Sequence, residues 1–210
     1  MFVKGMIIPR HKCFTADCND SVENALQTLE EKEVDALPVL EGDTYAGIIT
    51  RYGIYRLFFE SGLGREEYLK NTKVKDAVVY EDKYLRGEEV FERTLLELKH
   101  IPLLPVVDEQ KALLGIVTRY DVLEQFQSAF GMHKSGIRIA FTSVEVEGRI
   151  SKLADIIQQY HESVISLVTF DETDKLVRRI VLKIEKKNNV EKFVKKLEGS
   201  GFRVLDIRES

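Results

Sequence analysis

Gly115-Ile-Val-Thr118-Arg119-Tyr-Asp121 carries the clearest chemistry in this sequence. An apolar run ends at a threonine where a helix is expected to begin, and a helix N-terminus offers free backbone N–H groups to an anion. Thr118 supplies a hydroxyl for a phosphate or sugar oxygen. Arg119 can pair with a phosphate. Asp121 follows one turn on, and its carboxylate can accept hydrogen bonds from two vicinal hydroxyls. The same Thr-x-x-Asp spacing also suits a capping box, which does no more than close a helix end. A second copy, Gly47-Ile-Ile-Thr50-Arg51-Tyr-Gly53, keeps the Thr and the Arg but has glycine in place of the Asp.

These copies belong to a longer internal repeat. Val34-Asp-Ala-Leu-Pro-Val-Leu40 matches Ile101-Pro-Leu-Leu-Pro-Val-Val107. Pro38 pairs with Pro105 at an offset of 67, and Thr50 with Thr118 at 68. The extra residue falls in a turn, where insertions are tolerated. Val22, Ala25, Leu26 and Leu29 recur at helical spacing, as do Phe91, Thr94, Leu95 and Leu98. Strands are expected at Leu37–Leu40 and Tyr45–Ile49, and again at Leu103–Val107 and Leu113–Val117. A second helix opens at Thr50 or Thr118, with apolar faces Ile54, Leu57, Phe58 and Leu123, Phe126, Phe130. Each unit is strand–helix–strand–strand–helix, too small a core to stand well alone, so the copies are expected to pack together.

The repeat resembles the cystathionine-β-synthase (CBS) motif, on Ala25-Leu26, Ala36-Leu37-Pro38-Val39, Leu104-Pro105-Val106 and the two Gly-x-x-Thr runs. The resemblance covers about residues 1–130, repeat one about 1–64 and repeat two about 65–130. It implies a pseudo-twofold module whose clefts bind adenosine-containing ligands and whose role is regulatory. It also implies that Thr118, Arg119, Asp121 and Ile116 complete a nucleotide pocket walled by Val34, Asp35 and Ala36, whose backbone reads the adenine edge. The other cleft departs from the pattern. Gly53 removes the ribose carboxylate, and Pro102, opposite Asp35, removes a backbone donor. One competent cleft is expected around Thr118 and Asp121. The second is expected to be degraded, with Thr50 and Arg51 still able to hold a phosphate.

Residues 137–210 have another rhythm and another charge. They hold 14 Lys and Arg against 12 Asp and Glu, whereas residues 1–136 hold 17 against 23. Gly131 to Gly136, two glycines in six residues, read as a helix stop and linker. Beyond it, strands are expected at Ile137–Val146, Ser163–Phe170, Leu176–Ile184 and Phe202–Ile207. Asp171 to Asp174 reads as a turn. Helical faces appear at Ile150, Leu153, Ala154, Ile157 and at Val190, Phe193, Val194, Leu197. The order βαββαβ is that of a ferredoxin-like fold. Glu147-Gly148-Arg149 resembles the strand-to-helix turn of ACT domains, which implies a possible amino-acid ligand at Gly148. Lys183, Lys186, Lys187, Lys192, Lys195 and Lys196 read as solvated positions. The fold class is therefore mixed α/β (α+β), a tandem CBS-motif pair followed by an ACT-like domain.

Other chemistries find little support. His11, His100, His133 and His161 fall in no metal-ligand spacing, so no metal is expected. Cys13 and Cys18 are too few for a disulfide framework. No Walker, Rossmann or Gly-x-Ser-x-Gly run occurs. Glu30-Glu31 and Glu88-Glu89 read as polar helix faces. The chain as a whole has 31 basic and 35 acidic residues, which argues against general nucleic-acid binding. No apolar run reaches the roughly 18 residues of a membrane span, and Met1–Pro9 is too short for a secretory signal. The expectation is a cytoplasmic, non-catalytic homodimer with no cofactor beyond a regulatory adenine nucleotide: AMP, ATP or cyclic di-AMP. The regulated protein is unknown. The alternatives are an amino-acid sensor acting through the ACT-like domain and, further off, a cryptic enzyme.

Overall fold

The computed structural model describes residues 5–144, 146–172 and 176–209. Met1 to Lys4, the end of the strand expected to reach Val146 (Glu145) and the turn residues Thr173 and Asp174 lie outside them, as does the side chain of Phe91. The chain divides into two compact units, Met1–Val122 and Leu123–Ser210.

The first unit runs β1 (Ile8–Pro9), β2 (Ala16–Asp17), α1 (Val22–Glu31), β3 (Ala36–Glu41), β4 (Thr44–Thr50), α2 (Arg51–Ser61), α3 (Arg65–Asn71), α4 (Phe91–Glu97), β5 (Leu103–Val107) and β6 (Leu113–Thr118). Helix α5 (Arg119–Ala129) follows, and the boundary between units falls within it. Helix α1 starts where Ser21 accepts a hydrogen bond from Asn24 N–H, and it buries Val22, Ala25, Leu26 and Leu29, the face its spacing predicts.

Two three-stranded sheets form, in the orders β2–β3–β4 and β1–β6–β5. Each hairpin carries an irregularity at the same repeat position, between Val39 and Leu40 and between Val106 and Val107. In repeat two, Leu85 bridges Val106 in parallel, as Ala16 pairs with Val39 in repeat one. The leading segments cross over. Ile8 pairs with Ile116 of repeat two, while Val79, which leads into repeat two, bridges Ile48 of repeat one. The hairpin turns also meet, with Thr44 bridging Ala112.

This crossing explains the glycine of each Gly-x-x-Thr run. A Cβ on Gly115 would lie 2.2 Å from the Ile8 carbonyl oxygen, and one on Gly47 would lie 2.2 Å from Val78 Cγ1. Gly47 also has φ +143°, where a side chain is strained. Both glycines therefore let a foreign strand lie against the hairpin.

Three features differ from the sequence expectation. Helix α3 and a 3₁₀ turn at Val74–Ala77 fill the connection between the repeats. There Tyr68 is buried and donates to Ile54 O at 2.8 Å. In α5 the inward residue is Val122, not Leu123, which is 53% exposed. Val122 stands at the repeat position of Ile54, so the apolar face begins one residue earlier. Glu88-Glu89 lies ahead of α4 rather than on it, and Glu89 accepts from Arg86 and Gly87 N–H at 2.8 Å each.

The second unit holds β7 (Ile137–Val144), α6 (Arg149–Gln159), β8 (Val164–Glu172), β9 (Val177–Ile184), α7 (Val190–Gly199) and β10 (Arg203–Glu209). The sheet order β10–β7–β9–β8 is antiparallel throughout, the ferredoxin-like arrangement. Ile139, Phe141, Ile180, Leu182 and Ile184 on the sheet pack with Leu153, Ile156, Phe193 and Leu197 on the helices. On α6 it is Ile156 that turns inward, while Ala154 is exposed.

The Gly131–Gly136 segment is not a loose connection. Gly131 (φ +66°) ends α5 with Met132 N–H donating to Gln127 O and Gly131 N–H to Ser128 O, the paired bonds of a left-handed helix stop. Both glycines are buried, and a Cβ on either would collide with Ile165 or Ile184. Lys183 corrects another expectation. It is only 5% exposed, with Nζ donating to Gly131 O at 3.0 Å, because β9 is covered at that point by this segment.

Candidate functional site

Within the first unit a cavity of about 440 Å³ is lined by Asp35, Thr50, Arg51, Tyr52, Gly53, Arg56, Val79, Tyr80, His100, Pro102 and Arg119. That is a usual size for a small-molecule site. Two repeat-equivalent pairs face it, Asp35 with Pro102 and Arg51 with Arg119, so both copies contribute. Three guanidinium groups against one carboxylate give it a positive character, suited to an anionic ligand.

The two conserved-in-repeat arginines are positioned alike. Arg51 donates through Nη2 to Leu29 O near the end of α1, and Arg119 donates through Nε to Leu98 O just past α4 at 2.9 Å. A cation at a helix C-terminus meets orphan carbonyls and the negative end of the helix dipole. Each arginine thus ties the second helix of its repeat to the first. Arg51 Nη1 also lies 3.7 Å from Asp35 at the cavity edge. Its Nε is buried with no partner among the described residues.

The two threonine turns differ. Thr50 Oγ1 accepts from Gly53 N–H at 2.9 Å, a simple cap that leaves the helix start uncharged. In repeat two, Asp121 N–H donates to Thr118 Oγ1 at 3.2 Å, and Asp121 Oδ2 accepts from both the backbone N–H and the hydroxyl of Thr118. The capping box is closed. Asp121 Oδ1 takes no part in these bonds.

The residues the sequence assigned to two clefts are thus grouped differently. Asp35 and Arg119 line the cavity with Thr50 and Arg51; Thr118 and Asp121 do not line it. Ile116 is buried in β6, paired with Pro105 on one side and Ile8 on the other. Val34 is half-buried, and Ala36 is buried beside Thr50 in the β3–β4 pair. Arg56 and Tyr80 carry no motif in the sequence, and His100 is weighed there only as a metal ligand. Alignment of the repeats holds a signal for Arg56, which stands opposite Glu124 at the same offset of 68.

In the second unit, Gly148 caps α6 with φ +81° and no side-chain cap bond. A Cβ there would meet nothing within 4 Å, so glycine serves the backbone angle rather than crowding. A cavity of about 500 Å³ lies at this turn, bordered by Ser143, Glu147, Gly148, Arg149, Ser151, Arg178 and neighbouring apolar residues. Arg149 is held by Ser143 Oγ, Ser200 O and Gly201 O and stacks over Phe202 at 4.1 Å.

A duplicated hairpin-and-helix unit with a shared anion-suited cavity defines a tandem CBS pair. The CBS-domain model matches residues 3–60 and 74–128, and the chain belongs to the CBS-domain family. It is 33% identical over 108 residues to an inosine-5'-monophosphate dehydrogenase of Korarchaeum cryptofilum and 32% identical over 115 residues to one of Methanocaldococcus jannaschii. These matches take in 51% and 53% of this chain but 21% of each enzyme, so the chain spans about a fifth of the length of these relatives. Among solved structures it is similar to CBSX2 in complex with AMP, at 30% identity and a TM-score of 0.51 over 60% of this chain and 95% of that one. It is also similar to Listeria monocytogenes CbpB in complex with c-di-AMP, at 25% identity and a TM-score of 0.53 over 60% and 94%. Among the described residues, no helix is long and apolar enough to cross a membrane.

Proposed function

We propose that this protein is a non-catalytic regulatory sensor whose CBS pair binds an adenine nucleotide and passes the signal to a partner through a change of conformation. The cavity walled by Arg51, Arg56 and Arg119 carries the proposal: it is formed, positive, and built from both repeats. The AMP complex of CBSX2 and the c-di-AMP complex of CbpB support the ligand class. Within the pair, the cavity is the stronger candidate position. The Thr118 turn is the other, with Asp121 Oδ1 for a ribose hydroxyl and Ile116, Val34, Asp35 and Ala36 as the walls the sequence assigns. A ligand in either position regulates only if it favours one arrangement of the pair over another. Residues 1–130 form the sensor, 131–136 the joint and 137–210 an ACT-like domain, and the protein acts as a cytoplasmic homodimer.

The cavity at Gly148 favours one further reading, in which an amino acid binds the ACT-like domain and the CBS pair serves assembly. A thermal-shift screen with AMP, ATP, S-adenosylmethionine, NAD, cyclic di-AMP and the amino acids separates the two. A nucleotide response lost in Arg119→Ala but kept in Asp121→Ala assigns the ligand to the cavity; the reverse assigns it to the Thr118 turn. A response to amino acids alone supports the ACT-like input. If no adenine ligand shifts melting at millimolar concentration, the nucleotide sensor fails.

A further inference from the structure

Repeat-equivalent positions differ in charge at the two helix starts. Repeat one has Gly53 and Arg56 where repeat two has Asp121 and Glu124, a formal charge of +1 against −2. The three arginines of the cavity are not equally available. Arg51 and Arg119 are each anchored through one nitrogen, to Leu29 O and Leu98 O, which fixes where their remaining donors stand. Among the described residues Arg56 has one ionic partner, Glu60, in an exposed i,i+4 pair at 3.7 Å. Such a pair holds a side chain only weakly. Arg56 lies five residues into α2 from Arg51, a rise of about 7.5 Å, and a helical side chain leans back toward the N-terminus. It therefore reaches the cavity from further along the helix than the fixed pair.

We infer that Arg56 makes this cavity selective for nucleotides with consecutive phosphates, the first phosphate resting on Arg51 and Arg119 and the next on Arg56. The inference rests on the nucleotide proposal above and adds the ligand's charge class and the residue that sets it. Gly53 fits the same logic. A carboxylate there, as at Asp121, would repel a polyphosphate, and the buried Gly53 leaves this helix start uncharged. Repeat one thus has an uncharged residue where repeat two has Asp121, with an exposed cation one turn later.

Isothermal titration of the full chain with AMP, ADP, ATP and cyclic di-AMP tests this, in wild type, Arg56→Ala, Arg56→Lys and Arg56→Glu. Arg56 is exposed, so the variants are expected to keep the wild-type melting temperature. ATP and ADP should bind wild type about tenfold more tightly than AMP, the scale of one charge-assisted contact. Arg56→Ala should erase that preference, weakening ATP and ADP about tenfold more than it weakens AMP. Arg56→Lys should restore part of it, and Arg56→Glu should reverse it. If AMP, ADP and ATP bind wild type equally, or if Arg56→Ala weakens all of them alike, the selectivity claim is overturned while nucleotide binding stands. If no nucleotide binds wild type at all, the nucleotide proposal falls and this claim with it.

Discussion

The two threonine turns share a backbone and differ in electrostatics. Both follow a Gly-x-x strand, both are capped by the threonine hydroxyl, and both are followed by an arginine tied to the end of the preceding helix. Yet the turn at Thr50 opens on a cavity with three arginines, whereas at the turn of Thr118 the Asp121 carboxylate closes back on Thr118. Duplication has kept what the fold requires and varied what a ligand would feel. The invariant arginines serve the fold and also face the cavity, so the positions where the copies disagree are what set the two turns apart.

The largest effect tests the shared part. Gly115→Ala sets a Cβ against a backbone oxygen of β1, and should cost about 3 kcal/mol by urea unfolding. Gly47→Ala should destabilise by a similar amount, through its φ of +143° and contacts with Val78 Cγ1 and Val79 O. A Gly115→Ala protein as stable as wild type would disprove the crossed strands. Next come the arginines. Arg51→Ala and Arg119→Ala should each weaken nucleotide binding about tenfold and cost about 1 kcal/mol of stability, from the lost bond to the helix end. If stability falls while binding does not, the arginines are ties only. Smaller again is the cap. Thr50→Ala should cost about 1 kcal/mol, and Thr118→Ala slightly more, because Asp121 then loses its hydroxyl partner. The smallest signal is chemical. Burial pushes the thiols of Cys13 and Cys18 up, so both should react slowly with a thiol reagent at pH 7 in the native state and rapidly in urea. Fast native labelling of Cys18 would mean that repeat one opens readily.

Much of this architecture was legible in the sequence. The strands around Pro38 and Pro105, the α1 face and the βαββαβ order follow from period and repeat alone. Helix α3 was hidden because its seven residues bury only Tyr68, leaving almost no apolar period to detect. Leu123 was misplaced because a leucine beside Val122 offers two overlapping helical faces, and only packing chooses between them. Lys183 reads as solvated in the sequence because no local pattern announces that the Gly131 segment folds over β9. At the site, Thr50, Arg51, Asp35 and Arg119 could be named in advance. Their gathering at one cavity could not, since it depends on how the two hairpins meet at Thr44 and Ala112. Arg56 was visible only as a charge reversal between copies.

The cavity shared by the repeats is proposed to hold an adenine nucleotide. The most direct measurement is a crystal structure of the protein grown with ATP at saturating concentration. Density for a nucleotide whose phosphates contact Arg51 and Arg119 beside Thr50 is the expected result. Ordered protein at both threonine turns, with no nucleotide at either, would contradict the account.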